Sequence, residues 1–336
     1  MTTHYLPVVS NGFKMEYQFW KKECPVYCNN LLVSPFTTGW DKRRRDFSKS
    51  EGLTIYADSG GYQILTRHEK INALDVLRWQ ELIADIGFTL DIPPHYFSKD
   101  YNTEQFQRCM YQSNKSANLM YKFKVNDDMQ LWGVIQGRTY GELEIWYKDL
   151  TRDHEYDGYC IVLSGNKSFN DFIEQMKFAT TIKKRIHFLG NSDRLVALLL
   201  AKLSHLTGFD YTYDSSTFSI GERYGKYIDP ITGKHIFLSK DEHKRDKIES
   251  LPCDCPICSK RSLRDLTRNP GLINLHNLFV INKFNETIDK LSDEQFISLL
   301  KNLVKNELHM KQIIELLEIS KSNKNMVNYY ELYGGT

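Results

Sequence analysis

Short strand-like runs alternate with helix-like segments from about residue 50 to residue 215 of this 336-residue chain. The strand-like runs are rich in β-branched, aromatic and aliphatic residues, and they span 53–57, 88–92, 131–135, 158–163, 186–189 and 211–213. The segments between them carry apolar residues at helical spacing, and they span 73–86, 103–122, 139–152, 169–183 and 192–206. Such alternation builds a parallel sheet with crossover helices, so the chain is predicted to be an α/β protein.

Five βα units, a further strand and an irregular N-terminal stretch favour a (β/α)8 TIM barrel, whose active site lies at the carboxyl ends of the strands. A doubly wound sheet is the alternative architecture. Two observations count against it: no Gly-x-Gly-x-x-Gly motif opens a helix, and polar residues follow several strands instead of lining one crevice.

Three of the seven cysteines lie close together, at Cys253, Cys255 and Cys258, and His276 follows them. Three thiolates and one imidazole form the soft tetrahedral set that Zn²⁺ prefers, and four protein ligands leave no open position for a substrate. The sequence therefore predicts one structural zinc per chain. This zinc would pin a helical tail, residues 274–320, to the turn-rich segment before it.

The predicted domains follow from this change of pattern. Residues 1–215 are expected to form the barrel body with its irregular N-terminal segment. Residues 216–336 are expected to form a zinc-binding subdomain with C-terminal helices packed on the barrel.

The most informative strand end is an acidic, glycine-containing segment directly after the run 53–57. It consists of Asp58, Ser59, Gly60, Gly61, Tyr62 and Gln63. The two glycines let the backbone approach a flat ligand, and the tyrosine offers a ring to stack on it. A strand-to-helix turn with a capping aspartate is the ordinary structural alternative.

Three later strand ends also carry polar residues. Asp91 stands before two prolines, Gln136 precedes Gly137, and Asp214 precedes two serines. An amide side chain can meet both a donor and an acceptor on a base edge. Each motif alone has an ordinary structural explanation, but their occurrence in order at successive strand ends predicts one shared functional site.

Taken together with the zinc spacing, these motifs resemble the queuine and archaeosine tRNA-guanine transglycosylases and their DNA-modifying relatives of the DpdA type. The resemblance covers roughly residues 50–320 and includes the segments 186–190 and 275–277. It implies a (β/α)8 barrel and a pentosyltransferase that exchanges a guanine in nucleic acid for a free 7-deazaguanine base through a covalent intermediate.

The resemblance also implies roles for individual residues. Asp214 is expected to be the nucleophile that forms a glycosyl-aspartate, and Asp58 the general acid/base. Asp91 and Gln136 are expected to read the Watson-Crick edge of guanine, with Tyr62 as a stacking wall. The other base-binding positions implied are Ser59, Gly60, Gly61, Gly137, Ser164, Gly165 and Leu189. The family usually has a Gly-Gly pair where this chain has Ser164-Gly165, so the contacts to the substituent of the base are expected to differ.

The formal net charge of only +2 means that any nucleic-acid footprint must be local. The residues expected to hold phosphates are Lys42, Arg43, Arg44, Arg45, Lys260 and Arg261, with the runs 183–185 and 244–245 as further candidates. A solvated loop is the ordinary explanation of the run 42–45. Because a base inside a duplex cannot be reached, the target nucleotide must be flipped out or presented in a loop.

DNA is the preferred polymer from the sequence, with tRNA as the alternative. The preference rests on a compact core that lacks the C-terminal RNA-binding module of archaeal members and so looks more like the DpdA-type enzymes. The free base would then be 7-cyano-7-deazaguanine or a close derivative.

Two non-enzymatic alternatives are an inactive partner subunit and a zinc-dependent nucleic-acid-binding protein. Both are disfavoured because the acids at 58, 91 and 214 are all present. No stretch approaches the 20 apolar residues of a membrane span, and no secretory signal opens the chain. The expected location is therefore the cytoplasm, or the host cytoplasm if the protein is phage-encoded. Family analogy also implies a homodimer through the zinc region.

Overall fold

The computed structural model describes residues 3–9, 18–35, 42–63, 71–94, 101–163, 168–238 and 253–333. Eight parallel strands form one sheet in the order β1-β8-β7-β6-β5-β4-β3-β2. They are His4–Pro7 (β1), Asn30–Val33 (β2), Thr54–Ala57 (β3), Ile86–Phe88 (β4), Gln130–Ile135 (β5), Gly158–Val162 (β6), Ile186–Leu189 (β7) and Tyr211–Ser215 (β8). The Val9 N–H donates to the Leu32 carbonyl at 2.8 Å and joins the two edges of the sheet. The predicted (β/α)8 TIM barrel is confirmed.

The strands are connected by helices on the outside of the ring. These are Lys42–Glu51 (α1), Ala73–Ile83 (α2), Thr103–Phe123 (α3), Tyr140–Leu150 (α4), Phe169–Ala179 (α5) and Arg194–Thr207 (α6). Side-chain caps begin five of them, at Asn72, Asn102, Thr139, Ser168 and Asp193. Each cap accepts a hydrogen bond from a backbone N–H of the first turn, which explains why the helices begin where they do.

The fourth strand lies earlier than the sequence predicts. Residues 88–92 were the expected strand, whereas the sheet contains Ile86–Phe88, and the preceding helix ends at Ile83 instead of residue 86. The cause is Asp85, whose carboxylate accepts from the Ile55 N–H at 2.8 Å and whose carbonyl accepts from the Gln130 N–H at 2.9 Å. This anchoring starts the strand at residue 86 and leaves Asp91 beyond its carboxyl end.

The N-terminal stretch contributes the first two strands of the barrel, although its sequence pattern is irregular. β1 pairs with β8, and Leu6 lies opposite Asp214 in the register. β2 pairs with β3, and Leu32 lies opposite Tyr56. The basic run at 42–45 opens helix α1 and is not a loop.

Bulky side chains fill the interior of the barrel. The residues of this interior cluster are Leu6, Leu32, Tyr56, Ile86, Phe88, Trp132, Val134 and Cys160. A barrel of this kind is a packed core and not a pore. The cluster therefore closes the barrel interior and forms a floor for any site at the carboxyl ends of the strands.

The region after β8 consists of a short hairpin and further helices. The hairpin strands are Lys226–Ile228 (β9) and His235–Phe237 (β10), and the helices are Ile220–Tyr224 (α7), Leu263–Arg268 (α8), Gly271–Ile288 (α9), Asp293–Leu303 (α10) and Glu307–Tyr333 (α11). The predicted helical tail, residues 274–320, thus consists of three helices. One break is fixed by a capping box between Ser292 and Gln295.

Buried asparagines tie α9 to the barrel. Asn277 accepts from the Ile228 N–H at 2.8 Å and donates to the Lys226 carbonyl at 2.9 Å. Asn285 accepts from the Tyr213 hydroxyl at 2.7 Å. Helix α9 is therefore bonded both to the hairpin and to β8.

Candidate active site and metal cluster

Three aspartates meet at the carboxyl end of the barrel. Asp58 directly follows β3, Asp91 lies three residues after β4, and Asp214 belongs to the end of β8. Asp91 and Asp214 are buried, and Asp58 is half-buried. All three charges act on the Cys160 thiol of the interior cluster, whose pKa they raise in addition to the larger effect of burial. The structure thus brings the three acids predicted from the sequence into one site.

Asp91 is enclosed by the segment that follows β3. The Ser59 hydroxyl donates to Asp91 Oδ1 at 2.9 Å, and Gln136 Nε2 donates to Asp91 Oδ2. A Cβ atom at Gly61 would lie 2.4 Å from Asp91 Oδ1, so only glycine fits there. Gly60 has φ of +81°, a backbone conformation that also favours glycine. Of the two glycines predicted to approach a ligand, Gly61 therefore packs directly against Asp91.

Gln136 is fully buried, and only one of the two polar atoms of its amide forms a hydrogen bond within the described part of the chain. Its Nε2 donates to Asp91, whereas its Oε1 has no hydrogen-bond partner among the described residues. A buried acceptor without a partner costs free energy unless a ligand or water satisfies it. This geometry suits a ligand that presents an N–H group beside Asp91.

Asp58 titrates close to neutrality. Burial raises its pKa to about 7, and the negative charges of Asp91 and Asp214 act in the same direction. Hydrogen bonds from the backbone N–H groups of Ser59 and Gly60 oppose the shift. A carboxyl group with a pKa near the working pH is suited to give and take a proton.

The neighbours of the Asp214 carboxylate contact one of its two oxygens, Oδ1. Its Oδ1 accepts from the Gly190 N–H at 3.0 Å and lies 3.2 Å from His187 Nε2. His187 belongs to the segment 186–190, which carries part of the family resemblance, and no role for it was predicted from the sequence.

Two buried glutamines on the outer helices also escaped sequence-based prediction. Gln80 of α2 donates to the carbonyls of Ala57 and Phe88 at 3.0 and 2.9 Å. Gln175 of α5 donates to the Gly137 and Val162 carbonyls at 2.6 and 3.0 Å. Each glutamine links the carboxyl ends of two neighbouring strands and so fixes the loops that carry the site. A polar residue on the apolar face of each helix was the available signal.

The remaining predicted base-binding residues lie in different settings. Tyr62 is 62% exposed and lies on the segment that encloses Asp91. Leu189 is half-buried and packs against the interior cluster at the end of β7. Ser164 and Gly165 lie outside the described residues.

The predicted metal ligands form a compact cluster. One ligand atom from each of Cys253, Cys255, Cys258 and His276 lies within 4.8 Å of all the others. His276 Nδ1 is 3.5 Å from the Cys255 Sγ and 3.4 Å from the Cys258 Sγ. These four side chains can therefore hold a metal ion.

The surroundings of His276 orient it as a ligand. Its Nε2 is 2.8 Å from the Ile228 carbonyl, which fixes the proton on that nitrogen and leaves Nδ1 free to bind a metal. The Tyr227 ring stacks on the imidazole, with centroids 3.7 Å apart. Both contacts come from β9, so the cluster links α9 to the hairpin.

The predicted phosphate-binding residues are only partly described. Lys42–Arg45 form the start of α1, and their side chains lie outside the described part of the chain, as does the run 244–245. Lys260 and Arg261 are exposed beside the metal cluster. Arg185 precedes β7 and packs on Trp132 at the amino end of the barrel. Arg185 therefore lies at the end of the barrel opposite the three carboxylates, and its phosphate contact stays a prediction.

Among the described helices, none combines the length and apolar character that crossing a bilayer requires.

Comparison with known proteins gives a consistent result. A family model described as "Queuine tRNA-ribosyltransferase" matches residues 42–307, which is most of the chain. The "tRNA-guanine(15) transglycosylase" of Korarchaeum cryptofilum is 27% identical over 255 residues, an alignment covering 70% of this chain and 40% of the relative. The protein of that name from Saccharolobus solfataricus is 26% identical over 274 residues, covering 75% and 51%. That of Methanocaldococcus jannaschii is 22% identical over 328 residues, covering 90% and 47%.

The chain thus spans about half the length, or less, of these curated relatives. The family match includes Asp58, Asp91 and Asp214, which the barrel gathers at one end, and the four residues of the metal cluster. From its sequence match and its fold, this chain belongs to the queuine tRNA-ribosyltransferase (tRNA-guanine transglycosylase) family.

Proposed function

We propose that the protein exchanges a guanine base in tRNA for a free 7-deazaguanine base by two displacements at Asp214. The observation that carries the proposal is the gathering of three aspartates at the carboxyl end of the barrel, one of them with a pKa near 7. The names of the relatives favour tRNA as the polymer. The preference drawn from the sequence was DNA. DNA remains an outcome of the test below.

In the first displacement, the Asp214 carboxylate attacks C1′ of the target ribose. The C1′–N9 bond breaks, and its electron pair leaves with the guanine base. Asp58, protonated near neutral pH, gives its proton to the departing base. The product is a ribosyl ester of Asp214 and a free guanine.

The second displacement reverses these steps with a different base. N9 of the incoming 7-deazaguanine attacks C1′, and the electron pair of the ester C–O bond returns to Asp214. Asp58, now ionised, accepts the proton that the incoming base loses. Two inversions at C1′ retain the configuration of the ribose.

Asp91 and Gln136 are the proposed base readers. An ionised carboxylate has about four acceptor positions, so Asp91 can keep the Ser59 and Gln136 bonds and still accept from the N1–H and amino group of guanine. Adenine presents no such pair of donors. Tyr62, exposed on the adjoining segment, is proposed to stack on the base.

A target inside a helical stem must leave the stack before Asp214 can reach its sugar. We assign the phosphate contacts around the extruded nucleotide to Lys42–Arg45 and to Lys260 and Arg261. The soft donor set of the metal cluster fits zinc. Zinc would supply no chemistry to the exchange and would instead hold α9 against the hairpin.

The exchange is tested with radiolabelled guanine, supplied with bulk tRNA or with duplex DNA. We expect label to enter tRNA, and we expect Asp214→Ala to abolish incorporation because the variant has no nucleophile. Asp153→Ala is the matched control, since Asp153 is an exposed aspartate away from the site. Label in DNA alone would show that the substrate polymer is DNA and not tRNA. Exchange retained in Asp214→Ala, or absent from both polymers, would refute the proposed mechanism.

The protonation of Asp58 is tested by stability as a function of pH. Above about pH 4 the unfolded chain releases this proton, whereas the folded protein keeps it up to about pH 7. The contribution of Asp58 to the free energy of unfolding of the wild type therefore falls across this window, by at most about 1.4 kcal/mol per pH unit. Asp58→Asn removes the effect, so its stability advantage over the wild type should grow from pH 4 to pH 7 and then level off.

Denaturant unfolding at a series of pH values measures this difference directly. Asp153→Asn is the control, and its difference from the wild type should not change with pH in this way. A difference for Asp58→Asn that is constant from pH 4 to pH 8 would mean that Asp58 ionises normally and is not poised to transfer protons.

The metal assignment predicts one zinc per chain by elemental analysis. Cys255→Ser should lose the metal and unfold at a markedly lower temperature, because the free energy of metal binding is part of the free energy of folding. Cys24→Ser is the matched control, since Cys24 lies outside the cluster. A metal-free preparation with unchanged melting temperature and exchange activity would contradict the structural role of zinc.

A further inference from the structure

We propose that His187 is a positioning residue for the nucleophile: it holds Oδ1 of Asp214 so that Oδ2 is the oxygen that attacks the sugar. The inference rests on the proposed function, in which Asp214 forms the covalent intermediate. It adds a residue to which the sequence analysis gave no role.

The imidazole of His187 is locked in place by its surroundings. The residue is fully buried in β7, and its ring stacks on Phe88 with centroids 5.1 Å apart and planes inclined by 28°. The Tyr56 ring is a second aromatic neighbour, 6.3 Å away between centroids. A ring packed this way has one orientation, so its two nitrogens point in fixed directions.

Both nitrogens are used, and both partners come from the neighbouring strand. Nδ1 lies 2.8 Å from the Thr212 hydroxyl, and Nε2 lies 3.2 Å from Asp214 Oδ1. Thr212 and Asp214 are two residues apart on β8, so their side chains share one face of the strand. An ionised carboxylate can only accept, and therefore Nε2 must carry a proton; when the ring is neutral, Nδ1 accepts from the Thr212 hydroxyl.

A second donor reaches the same oxygen. The Gly190 N–H donates to Asp214 Oδ1 at 3.0 Å, from a residue with φ of +84° just after β7. Among the described residues, the hydrogen bonds to this carboxylate both end on Oδ1. Oδ2 is thereby left as the oxygen available to form the bond to C1′.

This arrangement acts on both displacements. When Oδ2 bonds to C1′, Oδ1 becomes the carbonyl oxygen of the ester and keeps its two donors. When the incoming base attacks, the C1′–Oδ2 electron pair returns to the carboxylate, and negative charge reappears on Oδ1. Donors already aimed at that oxygen stabilise the leaving carboxylate without reorganisation. Loss of the His187 donor should therefore slow breakdown of the intermediate in addition to disturbing the angle of attack.

The test compares variants that keep or remove the donor. His187→Phe keeps an aromatic ring but has no N–H, and we expect kcat for guanine exchange to fall on the order of 100-fold with little change in KM for tRNA. The covalent adduct should also break down more slowly. His187→Gln can place an amide N–H near the position of Nε2. Its kcat should therefore be at least a tenth of the wild-type value.

Thr212→Val provides a matched, nearly isosteric change on the other side of the ring. It removes the hydroxyl that fixes the protonation of Nδ1, so it should lower kcat less than His187→Phe does. The double variant should be no worse than His187→Phe alone, because both changes act through one hydrogen bond to Asp214. Turnover of His187→Phe within twofold of the wild type, or a change confined to KM, would overturn the inference.

A measurement on the wild-type protein separates this inference from the proposed function. Nuclear magnetic resonance of ¹⁵N-histidine-labelled protein reports which ring nitrogen of His187 carries the proton, and His187→Gln identifies the signal. We expect a proton on Nε2 and a change of that signal in Asp214→Ala. A proton on Nδ1 alone would overturn the inference even if guanine exchange is found. If guanine exchange is absent but the expected signal is observed, the proposed function is refuted, and the hydrogen bond between His187 and Asp214 is still supported.

Discussion

Burial of three carboxyl groups at one end of the barrel is the constraint on which the site depends. Buried charges are costly unless donors are supplied, and here the donors are supplied unequally. Asp91 receives the Ser59 hydroxyl and the Gln136 amide, and Asp214 receives the Gly190 N–H beside His187. Burial raises the pKa of Asp58 to about 7, the charges of Asp91 and Asp214 add to the rise, and among the described residues only backbone N–H groups oppose it. In the proposed mechanism, these different surroundings let one aspartate act as the acid/base and another as the nucleophile.

The rest of the fold holds this arrangement in place. The interior cluster gives the site a floor, and Gln80 and Gln175 link pairs of strand ends from the outside. On the other side, Tyr213, which precedes Asp214 in sequence, donates from its hydroxyl to Asn285 of α9. The same helix carries His276 of the metal cluster. The metal cluster, although it is not part of the site, is therefore connected to β8 through one helix.

The barrel and the gathering of acids could be predicted because their signals are local: carboxyl ends of parallel strands meet at one edge, and metal ligands keep a short spacing. The first two strands could not, because β1 is defined by pairing with β8, far away in sequence. The start of β4 depends on Asp85, which bonds to two neighbouring strands. His187 was missed for the same reason, since only the register of β7 against β8 brings it to Asp214. The roles of the site residues stay predictions until they are tested.

The central claim is that Asp214 forms a covalent bond to the sugar. Peptide mapping by mass spectrometry tests it most directly: the protein is incubated with tRNA, denatured to stop the reaction, and digested with nuclease and protease. The account predicts a ribonucleotide remnant lacking its base on the peptide that contains Asp214. A remnant on a different residue, or exchange that proceeds with no protein-bound sugar, would contradict it.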